Sequence, residues 1–388
     1  MPGMTLDDLE LHRFSFPTAI TFGAGARQLL VEHLRAHDVS RPLVVTDKGV
    51  GALPIFVDMV ANLAAGGLEP EPFDGVWGNP VKSQVEAGVA AFEAHGADSI
   101  VGIGGGAALD VAKAIALMAT HPGDLFEYED EMPGARPIGP VPHFVAIPTT
   151  AGTGSEVGRS AVISDDVTHV KRIIFSPHLL ADAVLADPEL TIELPASITA
   201  ATGIDALTHN IEAYLAKGYN PICDGIALEG LRLGAAHLAR AVAHPHDLTA
   251  RGAMLMSSMM GAIAFQKGLG LVHSTAHALG TVADMHHGLA NAVMIDHALP
   301  FNVEVSARRF VVMAQAAELD DPTPEAFLRW LADLKAEIGV PRSLVDTSVR
   351  PDDLERLCDV AVEDSCHLNN PRPVTRDDFR RIFLEAFA

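Results

Sequence analysis

Aromatic residues, cysteine and positive charge are all scarce in this chain of 388 residues. Only 5% of the residues are aromatic, so a buried core must be built mainly from Ala, Val, Leu and Ile. The three cysteines, Cys223, Cys358 and Cys366, are too few and too scattered for a disulfide framework or a cysteine zinc site. This cysteine usage fits a protein of a reducing compartment.

Positive charge is outnumbered, because 27 Lys and Arg residues face 50 Asp and Glu residues, which gives a formal net charge of −23. Such acidity argues against sequence-independent binding to nucleic acid or to an anionic membrane. No uninterrupted apolar run reaches the roughly 18 residues of a membrane helix. The acidic start, residues 1–16, also lacks the apolar segment of a secretory signal. We therefore expect a cytoplasmic protein that binds neither nucleic acid nor membrane.

The chain is rich in apolar residues, at 48%, and its length corresponds to about two domains. In the first half, buried-strand patterns alternate with helical patterns, which predicts an α/β domain with a parallel sheet. The predicted strands cover residues 42–46, 99–103, 143–147 and 184–186. After about residue 190 only helical patterns follow. The predicted domains are therefore 1–192, of α/β type, and 193–388, all helical.

A glycine triplet, Gly104-Gly105-Gly106, follows the second predicted strand and precedes a helix. Glycines let the backbone approach a phosphate closely, and a helix N-terminus supplies amide donors and a favourable dipole. The spacing matches neither the GxGxxG fingerprint nor a P-loop. Taken alone, the triplet is equally compatible with a tight structural turn.

Two other strand ends carry polar residues that suit a dinucleotide. Asp47 could accept hydrogen bonds from an adenosine ribose and would repel a 2′-phosphate, which favours NAD over NADP. Its alternative role is that of a simple turn residue. Thr149, Thr150 and Thr153 offer hydroxyl groups after the third strand, where phosphate, ribose or carboxamide could bind. Ligands of parallel α/β sheets bind at the carboxyl ends of the strands, so these three strand ends predict one site.

The second half contains acid and imidazole groups at helical spacing. The i, i+4 pairs are Asp205 with His209 and His273 with His277, and the dipeptide His286-His287 follows. Residues at this spacing share one helix face and can bind one ion. A single pair is weak evidence, but two pairs together with one of the later histidines favour Zn²⁺ or Fe²⁺.

Several other polar residues are expected to have lesser roles. Glu212 shares the helix face of Asp205 and is expected to support the site rather than to bind the ion. His143 and His178 have no partner at helical spacing and are expected to be structural or solvated. Lys171 and Arg172 could form a surface pair or contact an anion.

Taken together, the motifs resemble those of the iron-containing, or group III, alcohol dehydrogenases. The resemblance extends over nearly the whole chain, from about residue 14 to residue 380. Its landmarks are Phe22-Gly23-Ala24-Gly25, Val45-Thr46-Asp47-Lys48, Asn79-Pro80, Gly104-Gly105-Gly106, the segment 148–156, Asp187-Pro188-Glu189-Leu190, the segment 203–209, His273-x₃-His277, His287-Gly288-x₂-Asn291 and Asn370-Pro371-Arg372-Pro373. The chain departs from the usual family pattern at Ala107, where relatives often have Ser, and at Gly158-Arg159, where many have Thr.

The resemblance implies a Rossmann-like, dinucleotide-binding α/β domain followed by an all-helical metal-binding and catalytic domain, as in dehydroquinate synthase-like architectures. It implies that the metal ligands are Asp205, His209, His273 and His287, with His277 as a non-ligand near the nicotinamide. By the same likeness and by the strand-end argument, the cofactor-binding residues would be Asp47, Asn79, Gly104, Gly105, Gly106, Thr149, Thr150, Thr153 and Lys171. Leu269 and Cys366 would line the substrate cavity.

The predicted function is that of a metal-dependent oxidoreductase that transfers a hydride between NAD(H) and a primary alcohol or aldehyde, with Fe²⁺ or Zn²⁺ as metal. Family likeness also implies a homodimer or larger homo-oligomer. One alternative is a metal- and NAD-dependent lyase of the dehydroquinate synthase type, which would need a basic pocket that the few clustered cations hardly provide. The other alternative is a catalytically silent nucleotide-binding protein.

Arg159 leads to a hypothesis about the substrate. If its guanidinium faces the substrate, it could hold the distal carboxylate of an ω-hydroxy acid such as 4-hydroxybutyrate. An ordinary ion pair is the more expected role for this side chain. His277 similarly has two candidate roles, because it could relay a proton or merely pack against the cofactor or a neighbouring helix.

Overall fold

A computed structural model of the chain describes Phe16 and residues 18–130 and 132–388. The acidic start considered above, residues 1–16, lies outside the described residues except for Phe16. The described chain forms two compact units. The α/β unit comprises residues 18–202 and 240–259, and the helical unit comprises residues 203–239 and 260–388. Both predicted architectures are thus present, whereas the predicted boundary at 192/193 stays a prediction.

A parallel sheet organises the α/β unit. The strands in the described residues are β1 (Ala19–Phe22), β2 (Pro42–Asp47), β3 (Glu71–Val76), β4 (Ser99–Gly104), β5 (His143–Pro148), β6 (Ser160–Ser164), β7 (Lys171–Phe175) and β8 (Ala183–Ala186). Six of them form one sheet in the order β1-β8-β5-β4-β2-β3, and β6 and β7 form an antiparallel pair. All pairings within the large sheet are parallel.

The four strands predicted from the sequence are the central ones, β2, β4, β5 and β8. The sequence analysis missed β1 and β3, which form the two edges of the sheet, and the β6–β7 pair. Edge strands are covered less and carry polar residues, so the apolar run that marks a buried strand is absent from them. Most residues of β3 are indeed partly or fully exposed, and its sequence includes Pro72 and Asp74.

The α-helices in the described part of the chain are α1 (Leu30–Ala36), α2 (Lys48–Gly51), α3 (Pro54–Ala65), α4 (Lys82–His95), α5 (Gly106–Met118), α6 (Ala196–Leu215), α7 (Pro221–Ala243), α8 (Leu248–Ala264), α9 (Leu271–Ala283), α10 (His287–Ala298), α11 (Val303–Ala316), α12 (Pro324–Glu337), α13 (Leu354–Glu363) and α14 (Arg376–Ala386). The prediction of an all-helical second half is confirmed. The short helix α13 escaped prediction, although its buried Leu357, Cys358 and Ala361 follow helical spacing.

The core of the α/β unit positions the strand ends. Val44, Val101 and Val145 occupy the same face of β2, β4 and β5 and pack against apolar side chains of α1 and α3. Burying one such side chain contributes roughly 1.5–3 kcal/mol to the stability of the folded protein. The register pairs Thr46 with Ile103 and Gly104 with Pro148, so the carboxyl ends of the three strands lie side by side.

One helical segment, Leu248–Lys267, has the length and apolar composition of a membrane span, and 61% of its most apolar window is buried inside the protein. A core helix of a globular protein passes the same test of length and composition. Arg251, 3% exposed, donates from its guanidinium to Thr199 Oγ1 at 2.8 Å and to the Pro245 carbonyl at 2.9 Å. These contacts are those of a helix packed in a protein interior.

Candidate active site

Three helices of the helical unit bring one acid and three imidazoles together. Asp205 and His209 lie one turn apart on α6, His273 lies on α9, and His287 is the first residue of α10. One donor atom from each lies within 4.8 Å of the others. Asp205 Oδ1 is 3.9 Å from His209 Nε2, 4.0 Å from His273 Nε2 and 3.5 Å from His287 Nε2. The structure therefore brings together all four ligands that the resemblance implies.

The protonation state of His273 fits a metal ligand. Its Nδ1 donates to Glu212 Oε2 at 2.6 Å, a tautomer assigned from the carboxylate partner, which leaves the Nε2 lone pair facing Asp205. Burial lowers the pKa of His273 to about 4, so the imidazole is neutral. A carboxylate behind a ligating histidine is the usual arrangement in metal sites. Three nitrogen donors and one carboxylate oxygen suit Fe²⁺ or Zn²⁺.

Glu212 is anchored by backbone as well as by His273. Its carboxylate accepts from the amide of Val272 at 2.7 Å and from the amide of His273 at 3.3 Å, both at the start of α9. A side chain at Gly270 would collide with it, since a Cβ there would lie 2.6 Å from Glu212 Oε1. The expectation that Glu212 supports the site rather than belonging to the four-residue cluster agrees with this geometry.

Asn291 lines the same cluster. Its Nδ2 donates to Asp205 Oδ1 at 2.7 Å and lies 3.2 Å from His287 Nε2. Its buried Oδ1 has no hydrogen-bond partner among the described residues. The sequence analysis included Asn291 only as a landmark of the resemblance, because a lone asparagine on a helix gives no sign of function by itself.

His277 stands beside the cluster rather than in it. Its ring stacks on that of His287 with 5.3 Å between the ring centroids. Its Nδ1 donates to Asp364 Oδ2 at 2.7 Å, and Asp364 also accepts from Ser274 Oγ at 2.7 Å. Burial opposes the ionisation of Asp364. The charge of His277 and the hydrogen bonds from His277 and Ser274 outweigh burial and hold the pKa of Asp364 well below its usual range. An ionised Asp364 can only accept, so it assigns the proton of His277 to Nδ1.

The sequence analysis missed Asp364 entirely. It lies just after α13, 87 residues from His277, and no motif connects the two. Cys366, which the resemblance places at the substrate cavity, follows in the chain and donates its amide to Asp364 Oδ1 at 2.9 Å. Burial and the neighbouring Asp364 raise the pKa of the Cys366 thiol well above its usual value, so it is a neutral group. Leu269, the other residue expected at the substrate cavity, lies half-buried in the loop before α9.

Asp47 contacts both its own turn and the glycine triplet of the α/β unit. Its Oδ1 accepts from the amides of Gly49 at 2.8 Å and Val50 at 2.9 Å, so Asp47 caps α2. A Cβ built on Gly104 would lie 3.2 Å from Asp47 Oδ2. Asp47 therefore does act as the turn residue considered above. Both of these hydrogen bonds use Oδ1, one of its two carboxylate oxygens.

The glycine triplet packs against the threonines of the third strand end. A Cβ on Gly105 would lie 3.1 Å from Thr150 Cγ2, and one on Gly106 would lie 2.7 Å from Thr153 Oγ1. The amide of Thr149 donates to the Gly104 carbonyl at 3.0 Å, whereas its buried Oγ1 has no hydrogen-bond partner in the described part of the chain. Gly106 opens α5, whose 13 residues give this turn a helix N-terminus. Close backbone approach, hydroxyl groups and helix amides together fit a dinucleotide phosphate.

The remaining predicted residues of the α/β unit lie near the β6–β7 pair. Lys171 begins β7 and pairs with Ser164, whose amide donates to the Pro80 carbonyl at 2.8 Å. This bond connects the strand pair to the segment that carries Asn79. The guanidinium of Arg159 lies over the ring of Phe175, 5.1 Å from its centroid.

Comparisons with known proteins agree with the resemblance. The family model "Iron-containing alcohol dehydrogenase" matches residues 17–188, and "Fe-containing alcohol dehydrogenase family, C-terminal" matches residues 199–387. The chain is 40% identical to 4-hydroxybutyrate dehydrogenase of Cupriavidus necator, over 95% of this chain and 98% of that protein. It is 35% identical to NAD-dependent methanol dehydrogenase of Bacillus methanolicus, over 96% and 99%. The crystal structure of a 1,3-propanediol oxidoreductase superposes with a TM-score of 0.92 at 35% identity, covering 97% of this chain and all of that one.

Proposed function

This chain belongs to the iron-containing alcohol dehydrogenase family, and we propose that it interconverts a short primary alcohol and its aldehyde at the cluster formed by Asp205, His209, His273 and His287. Oxidoreduction with NAD(H) follows from the family and from its NAD-dependent members. The reported relatives are dehydrogenases, so neither the lyase nor the silent nucleotide-binding protein is supported. The observation that carries the proposal is the convergence of four buried or half-buried donor atoms within 4.8 Å.

The four side chains would hold the metal, and their burial and hydrogen bonds orient them toward a common centre. Asp205, His209 and His273 are buried, whereas the side chain of His287 is 23% exposed, so a substrate would reach the centre past His287. Glu212 keeps His273 Nε2 directed into the centre. When bound, the divalent cation supplies Lewis acidity to the substrate oxygen and NAD⁺ accepts the hydride.

Proton exchange is the role we assign to His277. Asp364 holds the Nδ1 proton, so Nε2 is the atom that accepts or returns a proton while the substrate changes between alcohol and aldehyde. Stacking on His287 fixes the plane of the ring. Asp364 acts as a positioning residue, because its carboxylate touches His277 and not the reacting atoms.

Recognition of NAD falls to the α/β unit. Asp47 Oδ2 beside Gly104 would accept from a ribose and disfavour a 2′-phosphate, which selects NAD over NADP. The amides at the start of α5 and the hydroxyls of Thr149, Thr150 and Thr153 would bind the phosphates. Asn79 and Lys171 would complete the site from the segment next to β6 and β7.

An ω-hydroxy acid is the substrate that we favour within this class. The relative at 40% identity is named a 4-hydroxybutyrate dehydrogenase. Arg159 provides a guanidinium that Phe175 holds in place by stacking and that could pair with a distal carboxylate. If so, Arg159→Ala raises the KM for 4-hydroxybutyrate without changing that for 1-butanol. An equal effect on both would limit Arg159 to packing.

The proposed assembly is a homodimer or larger homo-oligomer, and the proposed location is the cytoplasm. The assembly rests on family likeness, and the location rests on the acidic, cysteine-poor composition. Light scattering of the purified protein measures the assembly directly.

The decisive experiment compares two adjacent histidines. We expect His287→Ala to lose bound metal and NAD⁺ reduction, because it removes one of four donors. His286→Ala should retain both, since His286 is exposed, caps α10 and lies outside the four-residue cluster. The protein is stripped of metal, reloaded anaerobically with Fe²⁺ or Zn²⁺, and assayed over primary alcohols, diols and hydroxy acids. Full metal content and turnover in His287→Ala would refute the assignment.

A further inference from the structure

A second cluster of imidazoles lies in the α/β unit. His33 belongs to α1, His37 follows the end of α1, and His143 is the first residue of β5. One nitrogen of each lies within 4.8 Å of the others, and the rings of His37 and His143 stack at 4.7 Å. None of these residues belongs to the catalytic cluster, which lies in the helical unit. The sequence does not predict this cluster. Helical spacing relates His33 to His37, but His143 is distant in the chain and has no partner at that spacing.

Hydrogen bonds at Nδ1 prepare two of these histidines for metal binding. His37 Nδ1 lies 2.8 Å from the carbonyl oxygen of His33, which can only accept, so the proton is on Nδ1 and the lone pair on Nε2. His143 Nδ1 lies 3.2 Å from Asp182 Oδ2, which assigns the same tautomer. Glu212 holds His273 of the catalytic cluster in this way, and a carbonyl or carboxylate behind the imidazole is the usual support of a ligand.

The third histidine completes the arrangement. His33 Nε2 faces His143 Nε2 at 3.1 Å, so in the absence of an ion one of the two nitrogens must be protonated. An ion between these two nitrogens would take the place of that proton, since neutral imidazoles are the form that binds a metal.

We propose that His33, His37 and His143 form a second metal site, which binds Zn²⁺ with Asp182 as the positioning carboxylate of His143. Three imidazoles and one water make a four-coordinate zinc site. The cluster leaves room for the water, because His37 is exposed and the side chain of His143 is 17% exposed. Asp182 supplies a negative charge beside the site and is itself held by the amide of Phe144 at 2.8 Å.

The position of the cluster indicates a structural role. An ion here would join α1 to the start of β5 and, through Asp182, to the residue before β8. His143 begins β5, whereas the cofactor-binding Thr149 follows its end, roughly 20 Å away at about 3.3 Å per residue. The ion would therefore stabilise the α/β unit without touching the nucleotide.

The test measures the number of zinc ions bound per chain in the full-length protein, with one ligand of the catalytic cluster removed. In His273→Ala, stripped with a chelator and titrated with ZnSO₄, we expect about one equivalent to bind and to raise the Tm. Adding His37→Ala should abolish this binding and the Tm shift. The matched control adds His178→Ala to His273→Ala. His178 is an exposed histidine of the same unit outside the cluster, so this double variant should bind zinc like His273→Ala alone.

A second variant keeps the three imidazoles. Asp182→Asn should weaken zinc binding about 10–100-fold, the usual effect of losing a carboxylate behind a ligand. Equal zinc uptake with and without His37, or no zinc-dependent Tm shift in His273→Ala, would overturn the proposal. Either result would leave the catalytic assignment untouched, because that assignment is measured at His287.

Discussion

His277 donates a hydrogen bond from Nδ1 to Asp364 Oδ2 over 2.7 Å, although the two residues are 87 positions apart in the chain. The bond joins α9 to the segment after α13, and Ser274 on α9 donates to the same carboxylate at 2.7 Å. Because the carboxylate is ionised, it determines which nitrogen of His277 carries a proton. This contact is the observation on which the proposed proton relay by His277 rests.

Asp364→Asn tests the relay. Asparagine can face His277 Nδ1 with its amide nitrogen, which would favour the wrong tautomer, so we expect kcat to fall about 10–100-fold, within the range of acid–base effects. Metal content and NAD affinity should stay unchanged, since Asp364 belongs to neither site. Asp359→Asn on α13 is the matched control, as its side chain is 61% exposed and pairs with Arg376. An unchanged kcat in Asp364→Asn would leave His277 with a packing role only.

Glu212→Gln tests the support of the metal centre. Glutamine keeps the shape but places a neutral amide against His273 Nδ1, so the imidazole is held less firmly. We expect metal affinity to fall about 10–100-fold, measured by competition with a chelator. Glu229→Gln on α7 changes the same functional group at a site 45% exposed and should retain the metal. Wild-type affinity in Glu212→Gln would show that backbone alone positions His273.

Asp47→Ser tests cofactor choice. Serine can still cap α2, but it removes the charge that would repel a 2′-phosphate, so kcat/KM for NADP should rise relative to that for NAD. Asp47→Gly should shift the preference likewise, with a further loss of a few tenths of a kcal/mol of stability because the cap is weakened. If the ratio of NADP to NAD use is the same in both variants as in the wild type, Asp47 serves only as a cap.

Glu156→Gln tests a buried acid of the α/β unit that lies near Lys113. Glu156 is 1% exposed, and its Oε1 has no hydrogen-bond partner among the described residues. Burial raises its pKa from 4.5 to about 7, against the opposing charge of Lys113. Between these pH values the folded protein retains a proton that the unfolded chain has released, so stability falls as pH rises from about 4.5 to 7. Above pH 7 the loss levels off.

The measurement compares Tm against pH for the metal-free proteins. Glu156→Gln cannot ionise at this position. Relative to this variant, the free energy of unfolding of the wild type should fall by up to about 3 kcal/mol between pH 4.5 and 7, which is the equivalent of the shift in pKa, and its Tm should fall accordingly. Glu86→Gln, at a site 66% exposed, should follow the wild-type profile. Parallel profiles for the wild type and Glu156→Gln would mean that burial does not raise the pKa of Glu156 above its value in the unfolded chain.

Local patterns predict much of the fold because they follow from burial. The central strands β2, β4, β5 and β8 are covered on both faces, which requires continuous apolar runs, and most helices carry an apolar stripe. The edge strands β1 and β3 lack this signature because their surroundings do not require it. Their pairing with β8 and β2 is a consequence of the assembled sheet.

The sequence by itself determined the two architectures and the family. Through the resemblance to that family it also predicted Asp205, His209, His273 and His287 as metal ligands, and these four side chains do lie close together in the structure. Only the tertiary structure decided which distant groups support them. Asp364 behind His277, Glu212 behind His273 and Asp182 behind His143 are long-range pairs, in which a carboxylate from one element fixes the proton of an imidazole on another. Neither spacing nor composition records such contacts, since they form only when separate helices and strands pack together.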